Sequence, residues 1–170
     1  MKEFEILWRG LNFAFLKYGN LKRKTGVLPY VIHPIRVMMI LRASGFSEFE
    51  DRDLMLAALF HDLIEDTDLK FEDLKEEFGE DVALIVNELS KPKNIRKDDW
   101  LRAFSTASRK AKLIKMADRI DNLMDMEIIH WDVEKKKDYA KKGLIILEAC
   151  GGADLGLAHK LKSLINQIIE

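Results

Sequence analysis

Apolar residues along the chain recur at three- and four-residue steps, the spacing that predicts amphipathic α-helices. The first such segment runs from Phe4 to Tyr18, and Gly19 ends it. A second helix is predicted with Pro34 in its first turn, where the missing N–H group costs little. Gly45 marks the end of that helix. The N-terminal part of the chain is therefore predicted to form two helices joined by a basic loop.

The central part of the chain contains an almost continuous apolar run over residues 54–60. This run lies in a third predicted helix, over about 52–64. A helix that is apolar on all sides is buried on most of them. Two shorter helices are predicted over 71–78 and 82–89, with a break at Gly79. We expect this region to form the centre of the core.

The C-terminal half keeps the helical period. Residues 90–99 are highly charged and predict a loop, with Asp98 or Asp99 capping a helix that begins near Trp100. Longer helices are predicted over about 107–128, 133–149 and 154–169. Strand alternation, internal repeats and a linker are not found. The expected fold class is therefore all-α, with one helical-bundle domain over residues 1–170.

Composition narrows the functional classes. The 170 residues include one cysteine, Cys150, so an internal disulfide and a cysteine-cluster zinc site are both excluded. A formal net charge of −1 disfavours a globally basic surface for nucleic acid. The N-terminal segment does not resemble a signal peptide, and no window approaches the roughly 18 apolar residues of a membrane span. We expect a cytoplasmic protein without nucleic-acid or membrane partners.

Polar residues interrupt the end of the buried central helix. His61 and Asp62 directly follow the apolar run, and Glu65 and Asp66 come one turn later. Residues three and four apart share a helix face, so we expect the three carboxylates to converge. Clustered carboxylates repel one another, and a divalent cation is the usual compensation.

A further histidine and a further carboxylate extend this candidate donor set. His33 lies near the start of the second helix, and Asp118 lies on the apolar face of the long helix, in phase with Asn122. The candidate ligands are His33, His61, Asp62 and Asp118. Two imidazoles and two carboxylates suit an octahedral first-row ion such as Mn²⁺ or Fe²⁺. Such an ion can activate water and bind a phosphoryl oxygen.

Each of these residues also has an ordinary structural explanation. His33 could cap a helix, and the carboxylates before Thr67 could cap the next one. Asp118 could pair with Arg119 or Lys115 at a helix surface. The ordered combination of histidines and carboxylates with buried flanks favours a metal site over these alternatives.

Five segments of the chain carry recognisable motifs. Three of these motifs, His-Pro, His-Asp-x-x-Glu-Asp and Lys-x-Ala-Asp-Arg-x-x-Asn, are specific when they occur together. The segments are residues 23–26, 29–37, 57–67, 78–91 and 114–123. In this combination the chain resembles the HD-domain metal-dependent phosphohydrolases, and most of all the alarmone hydrolase domains of the Rel/Spo family. The resemblance implies an all-helical HD fold, a Mn²⁺ site and a role in the stringent response. The implied reaction removes pyrophosphate from guanosine 3′,5′-bis(diphosphate) (ppGpp or pppGpp), giving GDP or GTP.

The resemblance also implies roles for individual residues. The metal ligands would be His33, His61, Asp62 and Asp118. Glu65 and Asp66 would orient or deprotonate the attacking water and handle the leaving group. The substrate contacts would be Arg23, Lys24 and Asn122. Lys135 and Tyr139, one turn apart on the next helix, are added as a candidate cation and stacking ring, although Lys135 also belongs to a charged run typical of an exposed face.

Three positions depart from the family pattern. Where the family often has histidine or glutamine, this chain has Tyr18, Leu21 and Asp121. These departures leave other substrates open: the 2′-phosphate of NADPH or a 5′-nucleotide for a phosphatase, or a nucleotide bound without turnover. A homo-oligomer also stays open, because the apolar residues of the last helix could face the core or a second copy.

Overall fold

The computed structural model describes residues 2–23 and 25–170, apart from the side chain of Glu3. Among these residues, β pairing is limited to one isolated bridge between Lys22 and Pro29. The helices are α1 (Lys2–Tyr18), α2 (Ile32–Ala43), α3 (Arg52–Phe60), α4 (Leu63–Asp66), α5 (Phe71–Phe78), α6 (Glu80–Leu89), α7 (Lys97–Ala103), α8 (Arg109–Met124), α9 (Val133–Cys150) and α10 (Leu155–Ile169). Short 3₁₀ turns follow α7, α8 and α9. The predicted all-α class is confirmed.

The third predicted helix is broken close to the candidate site. It was expected to continue to about residue 64, but α3 ends at Phe60 and α4 begins at Leu63. Asp62 lies in the break with φ −107° and ψ 0°, in the bridge region of backbone space where many active-site residues are found. The Nδ1 atom of His61 bonds the carbonyl oxygen of Ala58 at 2.8 Å. The break therefore places His61 at the C-terminal end of α3 and Asp62 directly before α4.

The helix expected near Trp100 begins earlier, at Lys97. Arg96 precedes it in an extended conformation, with φ −62° and ψ 143°. Asp98 and Asp99 therefore lie in the first turn and are not the capping residue, so that part of the prediction is wrong. Their negative charges still favour the positive N-terminal end of the helix dipole.

Helix α8 lies at the centre of the fold. It packs against α2, α3, α6, α9 and α10. Helix α3 is buried from Leu54 to Phe60 and also contacts α1, α2 and α6. This packing brings three places together: the first turn of α2, the break after α3 and the middle of α8.

The last helix turns its apolar face to the core. Leu157, Leu161 and Ile165 are buried, and α10 packs on α8 and α9. Gly143 of α9 allows the close approach, because a Cβ atom there would lie 2.9 Å from Cδ1 of Ile165. Leu161 and Ile165 therefore pack into the core, whereas Leu164, Ile168 and Ile169 are only partly buried, so a homo-oligomer stays a prediction.

Among the described helices, none has the length and apolar character that crossing a bilayer requires.

Candidate active site

Four side chains predicted as metal ligands converge beside a cavity of about 410 Å³. The Nε2 atoms of His33 and His61 are 3.2 Å apart. Oδ1 of Asp118 lies 3.3 Å from Nε2 of His33, and Oδ2 of Asp62 lies 3.1 Å from Nε2 of His61. One ligand atom each from His33, His61 and Asp118 can be chosen so that all lie within 4.8 Å of one another. Residues 28 to 85 positions apart in sequence thus form one donor cluster.

Both histidines are held by a hydrogen-bond acceptor on the far side of the ring. Nδ1–H of His61 donates to the carbonyl oxygen of Ala58, and Nδ1–H of His33 donates to Oδ2 of Asp121 at 2.6 Å. We assign the ring protons to Nδ1 from these acceptors. When both rings are neutral, the Nε2 lone pairs then face each other and the two carboxylates. This arrangement of donors fits a divalent cation between them.

The pKa values at the cluster show how strongly it attracts positive charge. Burial disfavours the charged form of His61, but the carboxylates of Asp62 and Asp118 outweigh burial and raise the pKa to about 9. Burial also disfavours ionised Asp62 and Asp118. The pKa of Asp62 is nevertheless lowered by His61, and that of Asp118 by Lys115 and His33. The carboxylates therefore remain ionised at neutral pH.

The two candidate carboxylate ligands are oriented by neighbouring donors. The Tyr30 hydroxyl donates to Oδ2 of Asp62 at 2.5 Å. Nζ of Lys115 donates to Oδ2 of Asp118 at 2.8 Å, and Nδ2 of Asn122 donates to the Asp118 carboxylate. Asp118 is buried, so the alternative of a helix-surface position is wrong, although the pairing with Lys115 is present. The predicted shared phase of Asp118 and Asn122 is confirmed.

Glu65 and Asp66 lie on α4 and line the same cavity. Oε2 of Glu65 accepts a hydrogen bond from the backbone N–H of Lys91 at 3.1 Å. Burial and the nearby Asp62 carboxylate raise the pKa of Asp66. The two predicted catalytic carboxylates therefore sit beside the donor cluster, each in a different electrostatic environment.

Arg23 lines the cavity but is engaged within the protein. The side chain is buried, and its Nε and Nη2 atoms donate to Oδ2 of Asp125 at 3.2 and 2.9 Å. Nη2 also lies 3.2 Å from Oδ2 of Asp121 and from Oδ1 of Asn122. These bonds fix the guanidinium beside the donor cluster. Lys24, the other predicted substrate residue in this loop, lies outside the described residues.

The two candidate residues on α9 have different surroundings. Tyr139 lines the cavity, and the Arg119 guanidinium carbon lies 4.2 Å from the centre of its ring. Lys135 is exposed and is not among the cavity-lining residues. Its ammonium lies 4.5 Å from the centre of the Trp131 ring. The structure therefore brings Tyr139 to the site and leaves Lys135 outside it.

Several cavity residues were not predicted from the sequence. They are Leu21, Lys22, Tyr30, Lys97, Trp100, Lys115 and Arg119. Lys115 lies three residues before Asp118, and Arg119 lies three residues before Asn122, so helical spacing alone could have identified them. Arg119 is buried, and its Nε atom has no hydrogen-bond partner among the described residues. The cavity wall is therefore rich in cationic groups.

The fold agrees with comparison to known proteins. A model of the HD domain family matches residues 11–148, and the chain therefore belongs to the HD domain family.

One relative is matched over nearly its whole length, and another over one part of a longer chain. A Drosophila melanogaster protein named guanosine-3′,5′-bis(diphosphate) 3′-pyrophosphohydrolase MESH1 is 33% identical over 165 residues, covering 92% of this chain and 91% of the relative. A guanosine-3′,5′-bis(diphosphate) 3′-pyrophosphohydrolase of Aquifex aeolicus is 35% identical over 92% of this chain, which corresponds to 22% of the longer protein. The shared region thus occurs both alone and within a larger chain.

A solved structure shows the same fold. It is described as a metazoan ortholog of SpoT that hydrolyzes ppGpp and plays a role in starvation responses. The TM-score is 0.85 at 32% identity, covering 95% of this chain and 94% of that one. The all-helical HD fold is therefore shared over almost the full length of both proteins.

Proposed function

We propose that this protein is a Mn²⁺-dependent hydrolase of guanosine 3′,5′-bis(diphosphate), releasing pyrophosphate from ppGpp or pppGpp and leaving GDP or GTP. The observation that carries the proposal is the donor cluster of His33, His61, Asp62 and Asp118 on a cation-rich cavity. Relatives named for this activity share 33% identity across nearly the whole chain. The cavity volume of about 410 Å³ lies within the range of small-molecule sites.

The cationic wall suits a substrate with two diphosphate groups. Lys22 in the loop after α1, Lys97 on α7 and Arg119 on α8 line the cavity and supply donors for phosphate oxygens. Arg23 and Lys24 remain proposed substrate contacts, as does Asn122. Tyr139 offers an aromatic ring for stacking on a base. Charge neutralisation by these groups lowers the cost of bringing the polyanion next to ionised carboxylates.

The donor set supports Mn²⁺ as the ion, with Fe²⁺ as the nearest substitute. Imidazole suits iron and carboxylate suits manganese, and both ions accept six-coordinate geometry. When bound, the ion would polarise a phosphoryl oxygen and lower the pKa of a bound water. Nε2 of His33 and His61 and the carboxylates of Asp62 and Asp118 would hold it.

Glu65 and Asp66 carry the proton transfers in this proposal. Glu65, oriented by the Lys91 backbone N–H, accepts a proton from the water that attacks the phosphorus bonded to the 3′ oxygen. The bond between that phosphorus and the 3′ oxygen breaks, and pyrophosphate leaves. Asp66, whose pKa is raised by burial and by Asp62, is the residue that returns a proton to the 3′ oxygen in this proposal.

The test offers ppGpp, NADPH and a 5′-nucleotide separately to purified protein with Mn²⁺, with products resolved by anion exchange. Pyrophosphate and GDP are expected from ppGpp. Glu65→Gln is expected to lower kcat by about 10²–10⁴-fold, because a positioned general base contributes that much. Glu72→Gln, at an exposed carboxylate on α5, is the matched control and is expected to match the unmodified protein.

His61→Ala is expected to abolish both metal binding and turnover. Release of orthophosphate from NADPH or the 5′-nucleotide, with ppGpp left intact, would contradict the proposed substrate but not the proposed metal site. A metal-loaded protein that turns over none of the three would contradict the enzymatic proposal. A cytoplasmic location, the absence of a nucleic-acid partner and the oligomeric state stay predictions.

A further inference from the structure

Asp121 is a buried carboxylate next to the donor cluster that the proposed ligand set does not include. It is 2% exposed. Its Oδ2 atom lies 2.6 Å from Nδ1 of His33, on the side of the ring opposite to the cluster. It also stands where the family that this chain resembles often has histidine. The residue that departs from the family pattern is therefore in direct contact with a proposed metal ligand.

Two guanidinium groups balance the charge of Asp121. Nη2 of Arg23 lies 3.2 Å from Oδ2, and Nη1 of Arg36 lies 3.7 Å from Oδ1. In this setting the Asp121 carboxylate accepts a hydrogen bond from Nδ1–H of His33. The His33 ring is thereby fixed with Nε2 as its free donor atom.

The same network reaches the other side of the cluster. Nη2 of Arg23 also donates to Oδ1 of Asn122, and Nδ2 of Asn122 donates to the Asp118 carboxylate. Arg23 therefore joins Asp121, behind His33, to Asn122, behind Asp118. Two proposed ligands from different helices are held by one connected set of buried and partly buried hydrogen bonds.

We propose that Asp121 is a positioning residue for the metal site, holding His33 in the Nδ1–H tautomer and strengthening Nε2 as a ligand. This inference rests on the proposed function, because it takes the metal site as given. Outer partners of metal-bound histidines act in this way generally, and losing one typically costs about 10–100-fold in metal affinity. Histidine at this position would supply no fixed negative charge, so the departure changes how the ligand is supported.

Asp125 provides a matched control on the same network. Asp125 is buried and accepts hydrogen bonds from Arg23 and Arg36. Asp121 contacts the same two guanidinium groups. Among the described residues, the hydrogen-bond and ion-pair partners of Asp125 do not include His33. A carboxylate that matters only for the buried charge network would therefore behave like Asp125.

The experiment measures Mn²⁺ affinity by titration calorimetry at one pH for the full chain, Asp121→Asn and Asp125→Asn. Asp121→Asn is expected to weaken Mn²⁺ binding by about 10–100-fold, and Asp125→Asn by less than about threefold. Equal affinities of Asp121→Asn and the unmodified chain would overturn the inference. An equal loss in both variants would overturn it too, because it would assign the effect to the charge network. An unmodified chain that binds no Mn²⁺ would instead overturn the proposed metal site itself.

A second measurement does not depend on a folded variant. The chain has four histidines, so ¹⁵N-histidine spectra of the unmodified protein are simple to assign, with Zn²⁺ as a diamagnetic stand-in. His33 is expected to carry its proton on Nδ1, with the ¹⁵N shift of Nε2 moving when Zn²⁺ is added. A proton on Nε2 with metal at Nδ1 would overturn the inference.

Discussion

The ion pair between Lys115 and Asp118 lies beside the candidate active site, and its contribution to the free energy of unfolding can be measured. The Nζ atom of Lys115 lies 2.8 Å from Oδ2 of Asp118, and the lysine side chain is 9% exposed. At that distance and an effective dielectric constant of about 20, the attraction is about 6 kcal/mol before desolvation is subtracted. Removing one partner of a buried pair costs about 3–5 kcal/mol.

We therefore expect Lys115→Met to lower the free energy of unfolding by about 3 kcal/mol in the absence of metal. The lower end of the range applies because Asn122 still donates to Asp118 after the change. Methionine keeps the aliphatic part of the side chain but removes the ammonium, which also lies 4.5 Å from the centre of the Trp100 ring. The measured loss will then reflect charge more than volume.

The assay is urea unfolding followed by circular dichroism, with chelator present and with Mn²⁺ present. Lys110→Met is the control, since Lys110 lies on the same helix and forms a more exposed pair with Asp53 at 3.5 Å. That substitution is expected to cost less than about 1 kcal/mol. Mn²⁺ should reduce the Lys115→Met deficit, because a cation beside Asp118 replaces the lost charge. A loss below about 1 kcal/mol, or equal losses in both variants, would refute the reasoning.

Three further predictions concern the thiol, the cavity wall and the metal. Burial raises the pKa of Cys150 to about 12, so Ellman's reagent at pH 8 should react only after unfolding, and rapid reaction of the native protein would contradict this. Since the thiol pKa is raised by folding, its contribution to stability is complete below the ordinary thiol pKa and is lost as pH rises towards 12. Tyr139→Ala should raise KM for ppGpp about tenfold, because stacking on the base is lost. Lys135→Ala should change KM less than about twofold, because Lys135 lies outside the cavity. Steady-state kinetics measure both values, and equal changes in KM would contradict this prediction. Chelation should abolish turnover and added Mn²⁺ should restore it, and activity that survives exhaustive chelation would contradict the metal requirement.

The helical elements follow from local pattern because each one repeats apolar residues at helical spacing. The break at His61 and Asp62 does not, since the pattern over residues 52–64 predicts one continuous helix. The bond from His61 to the Ala58 carbonyl and the contacts of Asp62 with Tyr30 decide the local backbone there. Such competition between helix and side-chain hydrogen bonds is settled by tertiary structure.

The donor cluster could be proposed from residue type, order and resemblance, and the structure brings those four side chains together. The surrounding network could not. His33 and Asp121 are 88 residues apart, and no local signal links them. Arg23 was predicted as a substrate contact from the resemblance, but its buried bonds to Asp121 and Asp125 depend on the packing of a loop against α8 and the turn that follows it.

The most direct test of the proposed activity is hydrolysis of ppGpp in ¹⁸O-labelled water by the Mn²⁺-loaded protein, with both products analysed by mass spectrometry. Attack of water on the phosphorus bonded to the 3′ oxygen predicts pyrophosphate that carries one ¹⁸O atom and GDP that carries none. Release of orthophosphate, label in GDP, or intact ppGpp with Mn²⁺ bound would contradict the proposed reaction.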